Sequence, residues 1–138
     1  MRAKQLLGIA IAILLAFAAG FVWGTLGRSN TAAALQASDI RGDLLAARAA
    51  VLDARVAIYS ANFGEASGHL EDARALLGRA HQRLQDLGRD DEAERVTAAL
   101  ANVDEAQRTS VRLDASANGR AGEAAKLLSD LLAGQRPR

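Results

Sequence analysis

Two histidines, His69 and His81, are the only imidazoles in this 138-residue chain, and they lie twelve positions apart. On a helix, at about 100° per residue, they point roughly 120° apart, which is poor geometry for chelating one ion. Glu65 stands one turn before His69, but the Glu-x-x-His pairing of carboxylate di-metal bundles is missing. Both imidazoles are therefore expected at the surface. Asp90, Asp91, Glu92 and Glu94 form the densest acidic group. They lack the alternating oxygen ligands and central glycine of a calcium loop, and the N-terminus of a helix accounts for them.

Nucleophilic chemistry has no better footing. None of the seven serines sits in a G-x-S-x-G elbow or beside an evident base. The twelve glycines form neither a phosphate-cradling G-x-x-x-x-G-K nor a dinucleotide G-x-G-x-x-G after a strand. Cysteine is absent, which removes thiol catalysis, disulfides, thiolate metal sites and a lipidated cysteine. The expectation is a non-enzymatic chain with no catalytic, cofactor-binding or metal residues and no cofactor. From Ser29 onward fourteen basic residues face sixteen acidic ones, a balance that does not favour nucleic acid as a partner.

The elements that carry these residues are helical, since no useful length of strand-like alternation occurs. Apolar or small residues at Ile40, Leu44, Ala47, Val51, Ala54 and Ile58 follow a 4-3 spacing, with Leu45, Leu52 and Tyr59 read as widening that stripe. Arg41, Arg48 and Arg55 repeat every seven residues on a neighbouring face, as a solvated or snorkelling edge would. Asn62 and Gly64 mark a turn. The clearest pattern then begins: Phe63, Ala66, Leu70, Ala73, Leu77, Ala80, Leu84 and Leu87 form a bundle seam with heptad spacing. So short a connection makes the two helices antiparallel, and alternating small and large side chains lets them interdigitate. Tyr59 and Phe63, the domain's only aromatics, are expected in a packed corner of this hairpin.

Asn62 to Arg74, N-F-G-E-A-S-G-H-L-E-D-A-R, resembles the start of the second helix of a tetratricopeptide repeat, with Phe63, Ala66, Leu70 and Ala73 at matching positions. The preceding signature departs from that family, because its Trp, Leu, Gly and Tyr positions fall on Ala50, Asp53, Ala54 and Ala57, and its closing Pro on Gly78. The resemblance covers thirteen residues and implies a helical hairpin. No peptide-binding site is carried over.

Gly88 stops the second helix, and the acids after it suit a new N-terminus. The third helix presents Val96, Ala99, Leu100, Val103, Ala106, Ser110, Leu113 and Ala117, a less apolar seam expected to be partly exposed. Asn118-Gly119 signals a break, after which Ala121, Ala124, Leu128 and Leu131 face inward on a fourth helix; one continuous helix is the alternative.

Ahead of all this, Leu6 to Leu26 is uncharged and apolar, flanked by Arg2, Lys4 and Arg28. Its length matches the roughly 30 Å hydrocarbon core of a bilayer. Gly8, Ala12, Ala16, Gly20 and Gly24 recur every fourth residue and offer a ridge for membrane-helix packing, while Trp23 suits an interfacial anchor. The chain is thus expected to be all-α, with a single N-terminal transmembrane helix followed by an antiparallel three- or four-helix bundle. Residues 1–28 form the anchor, with the span at about 6–26, and 29–34 a short polar linker. The bundle occupies 35–133, with helices at about 35–60, 63–87, 91–117 and 120–133, and 134–138 is a frayed tail. The charge bias places the N-terminus in the cytoplasm of a bacterial inner membrane and the bundle in the periplasm. Expected partners are the lipid bilayer and other membrane-protein subunits or a second copy. Ala16-Phe17-Ala18 also fits a signal-peptide cleavage site, which would release a secreted helical binding module.

Overall fold

The computed structural model describes residues 32–135. The chain divides into two compact units, Met1–Ala37 and Ser38–Arg138, and apart from residues 32–37 at the start of the first helix the architecture below belongs to the second. Four helices and no strand occur among the described residues: α1 over 32–59, α2 Phe63–Asp86, α3 Asp90–Val111 and α4 Ala117–Gly134. None of them is long and apolar enough to cross a membrane. The segment read as a membrane span lies outside the described residues.

Side-chain pairs fix the topology. Arg79 and Arg83 of α2 reach back to Asp43 of α1, Arg74 of α2 pairs with Asp104 of α3 at 3.1 Å, and Gln135 at the end of α4 donates to Glu92 at the start of α3. Arg48 and Arg55 of α1 bond Ser129 and Asn118 of α4. From Arg48 to Arg55 the α4 partner falls from 129 to 118, and from Ser67, which accepts from Gln107, to Arg74 the α3 partner falls from 107 to 104. These helices therefore run antiparallel, and α4 closes against α1. The contacts from Arg83 near the end of α2 to Asp43 early in α1, and from the end of α4 to the start of α3, join opposite ends as antiparallel neighbours do. The result is an up-down-up-down four-helix bundle.

The core follows the inner stripes. Ile40, Leu44, Ala47, Val51, Ala54 and Ile58 are all buried, as are Val96, Ala99, Val103 and Ala106 and, on α4, Ala121, Ala124, Leu128 and Leu131. Of the twenty-five buried apolar residues among those described, thirteen are alanine, which lets the helices pack at short separation but buries little area for each residue.

All three connections close in the same way. At the first, Ala61 N–H donates to Ile58 C=O and Asn62 N–H to Ala57 C=O. At the second, Gly88 donates to Gln85 and Arg89 to Leu84. At the third, Leu113 donates to Ser110 and Asp114 to Thr109. This paired closure satisfies orphan carbonyls around one left-handed residue, and Ala61, Gly88 and Leu113 hold φ of 56°, 66° and 57°.

Several boundaries differ from expectation. α3 ends at Val111 rather than about 117, because the closure forms at Leu113; Leu113 is exposed, and Asn118 and Gly119 belong to the first turn of α4. Residues 32–34, expected in a linker, are already helical. Gln135, expected in a frayed tail, is held by Glu92 at 2.8 Å.

Candidate functional site

The seam residues on α2 converge inside the bundle. Ala66, Leu70, Ala73, Leu77, Ala80 and Leu84 are buried, and Phe63 packs against Ala57, Ile58, Ala66 and Ala117 in a small cluster beneath the first turn. Leu87 departs from the seam, being 38% exposed, because the helix has ended and its backbone belongs to the turn. Asn62 caps α2 reciprocally with Glu65: its side-chain oxygen accepts from Glu65 N–H at 3.4 Å, and its amide donates to the Glu65 carboxylate at 2.6 Å. Gly8, Ala12, Ala16, Gly20, Gly24 and Trp23 lie outside the described residues.

Arg41, Arg48 and Arg55, expected as a solvated or snorkelling edge, are half-buried, and two of them meet α4. Arg48 Nε donates to Ser129 Oγ at 2.8 Å, and Arg55 Nε to Asn118 Oδ1 at 2.9 Å. Gly122 leaves room for the Arg55 guanidinium, whose Cζ would lie 3.5 Å from a Cβ built there. Arg41 Nη1 is buried with no acceptor among the described residues, beside a cleft of about 240 Å³ lined by Leu45, Arg48, Ser129, Leu132 and Ala133. Two guanidinium groups and a hydroxyl there can attract an acidic group, but no base or nucleophile accompanies them.

Of Leu45, Leu52 and Tyr59, expected to widen the inner stripe, only the half-buried Leu52 packs against the core. With Ser38, Gly42, Ala49 and Val56 they make a separate 4-3 stripe, pointing about 150° away from the buried one. Leu45, Val56 and Tyr59 are 47%, 66% and 86% exposed, and Leu52 is half-buried. Tyr59 is thus no part of a packed corner. The spacing of this outer stripe was visible in the sequence; that Leu45, Val56 and Tyr59 stay outside the bundle was not.

Charged side chains mostly tie helices together. Asp43 takes Arg79 at 3.3 Å and Arg83 on its second oxygen. Burial pushes the Glu92 carboxyl up, but hydrogen bonds from Gln135 and Arg89 and the charges of Arg89 and Arg95 overcome it and hold the group below its ordinary value. The Arg108 hydrogen bond and charge lower Glu105, and the backbone and hydroxyl of Ser116 lower Asp114 at the entrance to α4. The acidic group at the start of α3 thereby includes one structural pin, Glu92, while Asp90, Asp91 and Glu94 are exposed. His69 lies 3.8 Å from Glu65, its i−4 neighbour. Among the described residues no three His, Cys, Asp or Glu side chains gather as a metal site.

These features define a helical bundle whose distinguishing surfaces are the two flanks of α1. No family model matches the chain, and neither a curated protein nor a solved structure does.

Proposed function

We propose that the chain is a non-enzymatic single-pass membrane protein, an accessory or scaffold subunit of a larger membrane complex. The observation that carries this reading is the uncharged stretch Leu6 to Leu26 between Arg2 and Lys4 on one side and Arg28 on the other. The small-residue ridge Gly8, Ala12, Ala16, Gly20 and Gly24 would dock on a partner helix, where close backbone approach replaces hydrophobic drive. The bundle, braced on every side by inter-helix ion pairs and hydrogen bonds, would stand in the periplasm and hold or recruit partners.

The test is fractionation of cells carrying a C-terminally tagged chain, with protease treatment of spheroplasts and intact mass of the purified product. Expected are resistance to alkaline extraction, digestion of the tag from outside, an uncleaved mass and stoichiometric co-purifying subunits. A soluble product shortened after Ala18 would overturn the reading. It would establish instead the secreted binding module to which Ala16-Phe17-Ala18 points.

A further inference from the structure

The outer stripe of α1 has a register of its own. Assigned to a heptad, its a positions are Gly42, Ala49 and Val56 and its d positions Ser38, Leu45, Leu52 and Tyr59. The flanks differ in sign. Arg41, Arg48 and Arg55 fill every g position, whereas the e positions are Asp39, Ala46, Asp53 and Ser60. In a parallel pair, g of one helix meets e of the next heptad on the other; in an antiparallel pair, g meets g and e meets e.

We propose that this face binds a second copy of the same chain, α1 against α1, parallel and in register. Parallel pairing sets Arg48 of each copy against Asp53 of the other, twice by symmetry. Antiparallel pairing would line arginines against arginines and aspartates against aspartates. Asp53 is exposed and takes part in no ion pair among the described residues. The bond from Arg48 to Ser129 uses Nε and leaves both terminal nitrogens for a second acceptor. Exposed Leu45 at d with β-branched Val56 at a suits two parallel strands, the half-buried Leu52 offering only the part of its side chain that its own core leaves open, and Gly42 and Ala49 allow the backbones to come close. The short stripe needs no helix nucleation on binding, because the bundle already holds α1 helical. The pairing is isologous, so it closes at two copies. Its register follows from heptad position and charge and does not rest on the membrane reading.

The absence of cysteine from the sequence makes crosslinking clean. Leu45→Cys, Tyr59→Cys and, as an off-face control on α2, Glu71→Cys are introduced singly into the full chain in gentle detergent, then oxidised. Positions 45 and 59 lie about 21 Å apart along the helix, so both can self-pair only in a parallel, in-register dimer. Expected are disulfide-linked dimers at 45 and at 59 but not at 71. Adding Val56→Glu, which sets two carboxylates in the dimer seam, should cut both yields by about tenfold or more while helix content by circular dichroism stays constant. Asp53→Arg, a change at an exposed position, should reduce them several-fold. The proposal is overturned by failure at 45 or 59, by equal crosslinking at 71, or by yields that ignore both Val56→Glu and Asp53→Arg. Pairing through the membrane segment alone would give that last result, and a monomeric chain that still sediments with membranes would remove this proposal without touching the anchor.

Discussion

Ala61 and Leu113 occupy a backbone region that costs an L-residue roughly 1–2 kcal/mol. Glycine would remove that strain. Against the gain stands the freedom that glycine adds to the unfolded chain, about 0.4–1 kcal/mol. Ala61→Gly should therefore stabilise the bundle by about 0.5–1 kcal/mol, which for a unit of this size raises Tm by about 2–8 °C. Leu113→Gly should do the same, since the Leu113 side chain is 69% exposed and gives up little burial. Gly88, at φ 66°, is the mirror case: Gly88→Ala should lower stability by about 1 kcal/mol although a Cβ there meets nothing. Gly78 separates conformation from composition. It lies inside α2 with open space around it, so Gly78→Ala should raise stability by about 0.8–1 kcal/mol through helix propensity. The same chemical change thus carries opposite signs at 78 and 88. Thermal unfolding of the full chain by far-ultraviolet circular dichroism reads all four variants. A lower Tm for Ala61→Gly and Leu113→Gly, or a higher one for Gly88→Ala, would refute the assignment of these residues as left-handed helix closures.

Three further outcomes are expected. The Ser110 hydroxyl is fully buried with no partner among the described residues, so Ser110→Ala should be neutral or stabilise by up to about 1 kcal/mol in urea unfolding; a marked loss would mean that the hydroxyl is satisfied. Leu77→Ala empties part of a wholly buried seam position and should cost about 3 kcal/mol, visible as a large fall in the urea midpoint with little change in slope. Glu92, Glu105 and Asp114 all ionise more readily when folded, so their contribution is complete above the ordinary values of 4.5, 4.5 and 3.8 and is lost as pH falls through the lower folded values. The urea midpoint should drop on acidification below that range, and Glu92→Gln should flatten the drop.

How far the fold was legible differs between its parts. Burial at Ile40, Leu44, Ala47, Val51, Ala54 and Ile58, and along α2 from Ala66 to Leu84, follows from helical periodicity alone, because each position samples the same direction every turn or two. The arginine edge was legible as an edge but not as a rail. Whether a guanidinium on a neighbouring face meets water or Ser129 depends on which helix closes the bundle, and that is a property of four helices together. The third turn was misplaced for a related reason. Asn118-Gly119 is a strong local turn signal, yet the left-handed closure falls on Leu113, where the sequence offers no glycine. Asn118 is spent instead on Arg55, in a contact between residues 63 positions apart. Local chemistry proposed one break, and packing between α1 and α4 selected another.

The same distinction explains why α1 has two apolar faces. A bundle helix needs one, and the inner stripe supplies it with no contribution from Leu45, Val56 or Tyr59. An alanine-rich core buries little area, which leaves the bundle with a small margin. An outer stripe is then a liability for a solitary domain, since it adds exposed hydrophobic surface without adding to the core. Its flanks argue against accident: three arginines at one flank and two aspartates at the other are self-complementary in only one relative orientation of two copies. Arg48 holds α4 through Nε, which leaves its terminal nitrogens for the proposed contact with a second copy. Closing the bundle therefore also orients the charge that a second copy would read, and a loosened α1–α4 contact, as in Ser129→Ala, should weaken self-association without altering the stripe itself.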